Sequence, residues 1–190
     1  MASSRKPPAT AEDLVARGDH ERLEIIGGDI VDKALPSFRH SLGEGALRGV
    51  LHPFTGRGGP RGPGGWWILT EVHVEYGRGE LYCHDIAGWR RERVPTPIET
   101  FPVGVTPDWV CEIVSPTHEK TDFVTKPRVL HGAKVPHYWI LHPEERVLLV
   151  QRWSTDGYVT VQQASAGETV RAEPFGAIEI RVGELFGDDD

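Results

Sequence analysis

Residues 107–116, Pro-Asp-Trp-Val-Cys-Glu-Ile-Val-Ser-Pro, form a proline-bounded apolar run that carries acids at Asp108 and Glu112. Strand alternation puts Asp108, Val110, Glu112 and Val114 on one face and Trp109, Cys111 and Ile113 on the other. Leaving Glu112 unpaired in a buried strand would cost several kcal/mol, so it needs a cation, a metal or a hydrogen-bond network beside it. Four residues of strand span about 13 Å, whereas oxygen ligands sit roughly 2.1 Å from Mg²⁺. Asp108 therefore cannot share a small ion with Glu112. A second carboxylate must come from a neighbouring strand, and Asp85, in the run Leu81–Ala87 between Gly79 and Gly88, is the best upstream donor.

Working outward, Ala11–Arg17 reads as a short helix and Leu23–Asp32 as a hairpin turning at Gly27-Gly28. Phe38–Leu51 suits a helix opened by Ser37. Thr55–Gly65, with six glycines and two prolines, reads as a mobile loop and lacks the Gly-Lys-Ser/Thr ending of a phosphate-cradling loop. Strands are expected near 66–76, 81–87 and 109–114, then a helix near 125–132. Further strands are expected at Tyr138–Leu141, Val147–Trp153, Tyr158–Gln163 and Ala177–Val182. This order points to an α+β (α/β) fold, a mixed β-sheet flanked by helices with additional antiparallel hairpins. Residues 1–10 are expected to be a flexible N-terminus, 11–186 one domain, and 187–190 an acidic tail.

A chain of 190 residues can bury one substantial core. It has no run of 18 apolar residues, and Met1–Thr10 lacks the apolar segment of a signal peptide, so a cytoplasmic protein without a membrane span is expected. Cys83 and Cys111, the only two cysteines, read as buried thiols. The net charge of -7 and pI near 5.7 argue against a protein that coats nucleic acid through a general basic surplus. Arg90, Arg91 and Arg93, with Arg57 and Arg61, read either as the lining of a phosphate-binding groove or as a solvated turn, and Trp89 beside them as a stacking surface for a base. Zinc is disfavoured, because alternation turns His84 away from Cys83 and Asp85 and no paired Cys or His-Glu-x-x-His motif exists.

Four blocks occur in order: Trp66–Glu71, His84–Arg93, Pro107–Pro116 and Val135–Ile140. On these blocks, and on the stretch Leu23-Glu24-Ile25-Ile26-Gly27-Gly28-Asp29-Ile30, the chain is identified as a member of the Uma-two family, domain of unknown function 820. That family is similar to restriction endonucleases of the PD-(D/E)XK nuclease superfamily, and the resemblance runs from about residue 11 to 186. It implies a restriction-endonuclease-like fold and a metal-dependent nuclease that hydrolyses phosphodiester bonds, with DNA as the expected partner. Asp85 matches the Asp of the Pro-Asp motif, with His84 where the family usually has Pro. Glu112 matches the acid of the (D/E)XK motif, and Val114 stands where the Lys would fall. The resemblance assigns that Lys to the following helix, at Lys126, with Lys120 as the fallback.

Because Pro127 follows Lys126, the helix either starts near Thr125 or is kinked there. The resemblance also gives Glu24 a supporting place at the metal site, against the alternative of a polar position on an edge strand. The implied catalytic set is Glu24, Asp85, Glu112 and Lys126, with Asp85 and Glu112 holding Mg²⁺ or Mn²⁺ and Asp108, Lys120 and His40 as possible supports. It further implies a homodimer. A second class stays open, a catalytically silent interaction or nucleic-acid-binding module that keeps the fold; absence of a lysine near Asp85 and Glu112 would favour it.

Overall fold

The structure, a computed structural model, describes residues 7–60, 62–77, 79–116 and 119–189. The segments in chain order are α1 (Ala11–Val15), β1 (Leu23–Ile26), β2 (Asp29–Asp32), α2 (Phe38–Val50), β3 (Trp66–Glu75), β4 (Leu81–Arg90) and β5 (Trp109–Ile113). A π-helical turn (Thr121–Thr125) then runs into α3 (Lys126–Gly132), followed by β6 (His137–His142), β7 (Val147–Ser154) and β8 (Gly157–Ser165). The short strands β9 (Thr169–Val170) and β10 (Ile180–Arg181) pair with each other, and a 3₁₀ turn (Val182–Phe186) follows.

The main sheet has the order β2-β1-β4-β5-β6-β7-β8, with β3 also paired to β4. It is mixed, because β5 and β6 run parallel while the other neighbours are antiparallel. The crossover from β5 to β6 contains α3, as a parallel connection requires. Trp109, Cys111 and Ile113 pack in one core with Leu47 of α2, whereas Val110 and Val114 pack in another with Leu130 of α3. The alternation read from residues 107–116 thus places a helix layer on each side of β5. Gly43 lets α2 approach closely, since a Cβ there would lie 2.9 Å from Leu141 Cδ2.

β3 pairs along nearly all of β4, so β1 and β5 share the opposite edge of β4. β1 holds the Leu81 end, through Ile25↔Leu81, and β5 holds Ile86↔Cys111, Ala87↔Val110 and Gly88↔Trp109. A notch remains along residues 82–85. Opposite it, Glu71 adopts φ 48 and the β3–β4 register passes from Thr70↔Ile86 to Val72↔His84. A left-handed non-glycine residue is uncommon and strained. This kink exchanges the faces of β3, so that Ile68 joins the first core and Val72 packs against the second.

Several boundaries differ from expectation. β4 continues through Gly88 to Arg90, because the absent side chain at Gly88 admits the Trp66 and Trp109 rings, 3.3 and 3.2 Å from where a Cβ would stand. Of Ala177–Val182 only Ile180–Arg181 is strand. The glycine-rich segment expected to be a loop is tied by Gly59 N–H to Gly62 O at 3.0 Å, Gly64 N–H to Pro53 O at 3.0 Å and Gly65 N–H to Gly56 O at 2.9 Å; Arg61 and residues 1–6 lie outside the described residues. Both cysteines are buried free thiols. No helix among the described residues is long and apolar enough to cross a membrane.

Candidate active site

Where β1 and β5 part along the edge of β4, two backbone donors lose strand partners, and two carboxylates take their place. Cys83 N–H donates to Glu24 Oε1 at 3.0 Å and Ile113 N–H donates to Asp85 Oδ2 at 2.7 Å. Buried backbone groups must be satisfied somewhere. The topology therefore draws acids into the notch before any ligand is considered. Glu112, one residue beyond the last β4–β5 pair, opens into the same cleft as Glu24, Asp85, Asp122 and Lys126, a cleft of about 20 Å³. That volume admits about one water-sized ligand.

Lys126 Nζ donates to Glu112 Oε2 at 2.8 Å and stands 3.4 Å from both Glu24 Oε1 and Asp122 Oδ1. The helix reaches this position through the π-helical turn, whose last carbonyl bond runs from Lys126 N–H to Thr121 O, five residues back. Pro127, which has no N–H and clashes with a regular preceding turn, follows at the start of α3. The chain thus begins turning before Thr125 and meets the proline with a widened turn.

On the Asp85 side, Lys33 Nζ lies 2.9 Å from Oδ1 and His40 Nε2 lies 3.1 Å from Oδ2. Lys33 also reaches Glu71 at 2.7 Å and Cys83 Sγ at 3.7 Å. His84 Nδ1 contacts Glu112 Oε1, and its Nε2 lies 2.6 Å from the Tyr76 hydroxyl. With Nδ1–H donating to the carboxylate, Nε2 accepts from Tyr76.

Burial pushes the Asp85 carboxyl up, but Lys33 and His40 outweigh it and hold its pKa below the usual carboxylate range. Burial likewise opposes the charge on Glu112, and Lys126 and His84 bring its pKa down. Both lysines are held charged: burial would lower them, yet Asp85 raises Lys33, and Glu112, Glu24 and Asp122 raise Lys126. Asp122 goes the other way, its pKa pushed up to about 8 by burial despite Lys126, with Glu112 adding to the rise.

Of the residues singled out from sequence, Glu24, Asp85, Glu112, Lys126 and His40 converge on this cleft. Glu24 is buried on β1, an inner strand, so the edge-strand alternative fails. His40, one of the possible supports, is buried against Asp85. Lys120 is exposed and does not line the cleft, which leaves Lys126 as the lysine at the carboxylates. Asp108 lies elsewhere, accepting from Arg90 N–H at 2.8 Å and Arg93 Nε at 3.0 Å.

The arginines do not line the cleft either. Arg90 and Arg91 lie 4.7 and 3.3 Å over the Trp66 and Trp67 rings, and Arg93 is held by Asp108. Trp89 is buried beside them, its indole donating to Val105 O at 2.8 Å. Lys33 was missed, because the only signal is a lysine directly after β2, which gains meaning once β1 is known to lie beside β4.

Among the described residues no group of three or more His, Cys, Asp or Glu side chains is arranged to hold a metal ion. The donor set at the notch is nonetheless that of a hard cation: two ionised carboxylates, with Asp85 Oδ1 outside hydrogen-bond geometry although Lys33 is near it. Mg²⁺ needs only one or two carboxylates because it keeps several waters. Oxygen donors of this kind suit such an ion.

A mixed sheet between helices, with acids and a lysine where its central strands part, defines a restriction-endonuclease-like protein. The chain belongs to the Uma2 family, described as "Putative restriction endonuclease", which it matches over residues 9–183. Its fold is similar to that of a "putative nuclease belonging to DUF820" from Anabaena variabilis ATCC 29413, with a TM-score of 0.69 and 19% sequence identity over 94% of this chain and 98% of that one. No curated protein matches the chain.

Proposed function

We propose that this chain is a metal-dependent nuclease that hydrolyses phosphodiester bonds in DNA. The observation that carries the reading is Lys126 Nζ at 2.8 Å from Glu112 in a buried cleft shared with Asp85 and Glu24. A lysine brought to the two acids is the feature whose absence would have favoured a silent module, so the enzyme reading stands ahead of it.

Asp85 and Glu112 would hold Mg²⁺ or Mn²⁺, which when bound polarises the scissile phosphate and lowers the pKa of its water. Lys126, kept protonated by Glu112, Glu24 and Asp122, is no general base. Its charge would stabilise the negative charge that grows on the phosphate, and such preorganised cations act without reorganising during the reaction. Glu24 fixes Lys126 and the Cys83 backbone together. His84 takes one oxygen of Glu112 and so sets the plane of that carboxylate. The resemblance to restriction endonucleases implies a homodimer, which light scattering at working concentration checks, and the cytoplasm is the compartment expected from the sequence.

The test is incubation of plasmid and oligonucleotide DNA with Mg²⁺ or Mn²⁺, comparing the natural protein with Glu112→Gln and Asp85→Asn. Cleavage by the natural protein alone is expected. Equal cleavage by all three, or none by any, overturns the reading.

A further inference from the structure

A second, larger cleft of about 910 Å³ adjoins the carboxylate centre and shares Lys33, Ala34 and His40 with it. That is the upper end of the range for small-ligand sites, room for about one or two nucleotides. α2 contributes His40, Glu44 and Arg48, four residues apart and hence on one face. The connector between β4 and β5 contributes Ile98, Thr100, Phe101 and Val103.

The charge in this cleft cannot hold a duplex backbone. Its cations are Arg22, Lys33 and Arg48 and its carboxylates Glu21, Glu44 and Glu71, and Lys33 is already engaged by Asp85 and Glu71. Arg22 and Arg48 have no side-chain ion pair or hydrogen bond among the described residues. Two available cations neutralise about two phosphates, where duplex-binding proteins use many more. Affinity must then come from another source, and the cleft offers an aromatic ring. Phe101 is 47% exposed, yet it is held by His20 and His73, with ring centroids 5.3 and 5.2 Å away. An apolar recess of about 180 Å³, walled by Trp67 and Trp89, shares Leu69, Ile98 and Val103 with the cleft, so the same wall stays apolar beyond Phe101.

A fixed aromatic ring in one cleft with two spare arginines matches an unstacked base on a phosphodiester chain, and a paired base inside a duplex cannot present its face in this way. We propose that this cleft binds an unpaired strand of nucleic acid, Phe101 stacking on a base beside the phosphate that enters the Asp85–Glu112 centre. The inference rests on the nuclease reading and narrows its substrate to single strands, overhangs or locally opened duplexes.

The experiment measures binding rather than cleavage, by fluorescence anisotropy in EDTA, so that it can succeed or fail independently of the nuclease reading. The probes are a labelled single-stranded DNA oligomer, its duplex, and the same strand with an abasic site. The single strand is expected to bind at least about 10-fold tighter than the duplex, and Phe101→Ala to weaken it about 5- to 100-fold, with a similar deficit for the abasic strand. Phe101→Trp should restore binding to within about 3-fold, because stacking needs any large ring. The slope of log affinity against log salt should be shallow, about -1.4 for two contacts on a single strand. Equal or tighter binding of the duplex, no binding of any probe, indifference to Phe101→Ala, or failure of Phe101→Trp to restore binding would each overturn the inference. Binding as expected without cleavage in Mg²⁺ or Mn²⁺ would instead overturn the nuclease reading and leave this site standing.

Discussion

Lys126 meets Glu112 at 2.8 Å and Arg93 meets Asp108 at 3.0 Å, two carboxylate–cation pairs beside opposite ends of the short β4–β5 pairing. The side chains of the first are 4% and 2% exposed and those of the second 41% and 13%. Near-equal lengths thus describe two different interactions. The Arg93 pair keeps water and gains little from its Coulomb attraction. The Lys126 pair has lost water and is completed by Glu24, His84 and Asp122, so removing either Lys126 or Glu112 strands a buried charge. A fold that needed only a stable sheet would do better with apolar residues here. Retaining ions in the notch is therefore a sign of chemistry, and the contrast between the two ends is open to test.

Lys126→Met should produce the largest effect. It leaves Glu112 and Glu24 without their cation and should cost about 3–5 kcal/mol in urea unfolding. Cleavage of DNA should fall about 100- to 1000-fold, as when a preorganised transition-state group is removed. A stable, active Lys126→Met protein would break the contrast, for Lys126 would then be no more than Arg93 is. Next comes His84→Ala, which leaves a Glu112 oxygen and the Tyr76 hydroxyl without their shared partner. It should cost about 1–3 kcal/mol by the same measurement.

How far the two ends were legible in sequence follows from the same physics. Period-2 alternation in residues 107–116 named the faces of β5 correctly, because a strand buried on both sides leaves the pattern no freedom. Asp85 beside Glu112 followed from the need for a partner, and the resemblance located Lys126. Lys33 was not legible, since nothing local tells a lysine after a hairpin that the hairpin packs beside β4. The arginines kept two readings for the converse reason, since a run of Arg does not itself tell that β4 extends to residue 90 and lays two of them over Trp66 and Trp67. Phe101 carries no sequence signal either, because its exposure depends on how the connector 91–108 returns over the sheet.

Asp122 sharpens the contrast through pH. Its folded pKa near 8 exceeds the ordinary carboxyl value, so between about pH 4 and 8 the folded state binds a proton that the unfolded state has lost. A carboxyl shifted in this direction contributes stability at low pH that drains away as pH rises through the window. Asp122→Asn imitates the neutral form and does not titrate. The stability of Asp122→Asn relative to the natural protein should therefore climb with pH, by at most about 1.4 kcal/mol per unit, and level off above about pH 8. Parallel pH profiles for the two proteins would mean that Asp122 is ionised in the folded protein and that Lys126 outweighs its burial.

The smallest effect belongs to Arg93→Ala. Its guanidinium donates to Asp108 and to Thr106 O from the surface, and Asp108 keeps the Arg90 N–H and some exposure to water when Arg93 is gone. The loss should be under about 1 kcal/mol in urea unfolding and shrink further in high salt, which screens exposed charges. Cleavage should stay within about 2-fold of the natural rate, since removing an exposed charge that touches none of the cleft residues leaves the transition-state contacts in place. A large loss of DNA cleavage with stability unchanged would show that nucleic acid also reaches the Arg90–Arg93 end of β4, and the division of this strand pair into a reactive and a structural end would have to be redrawn.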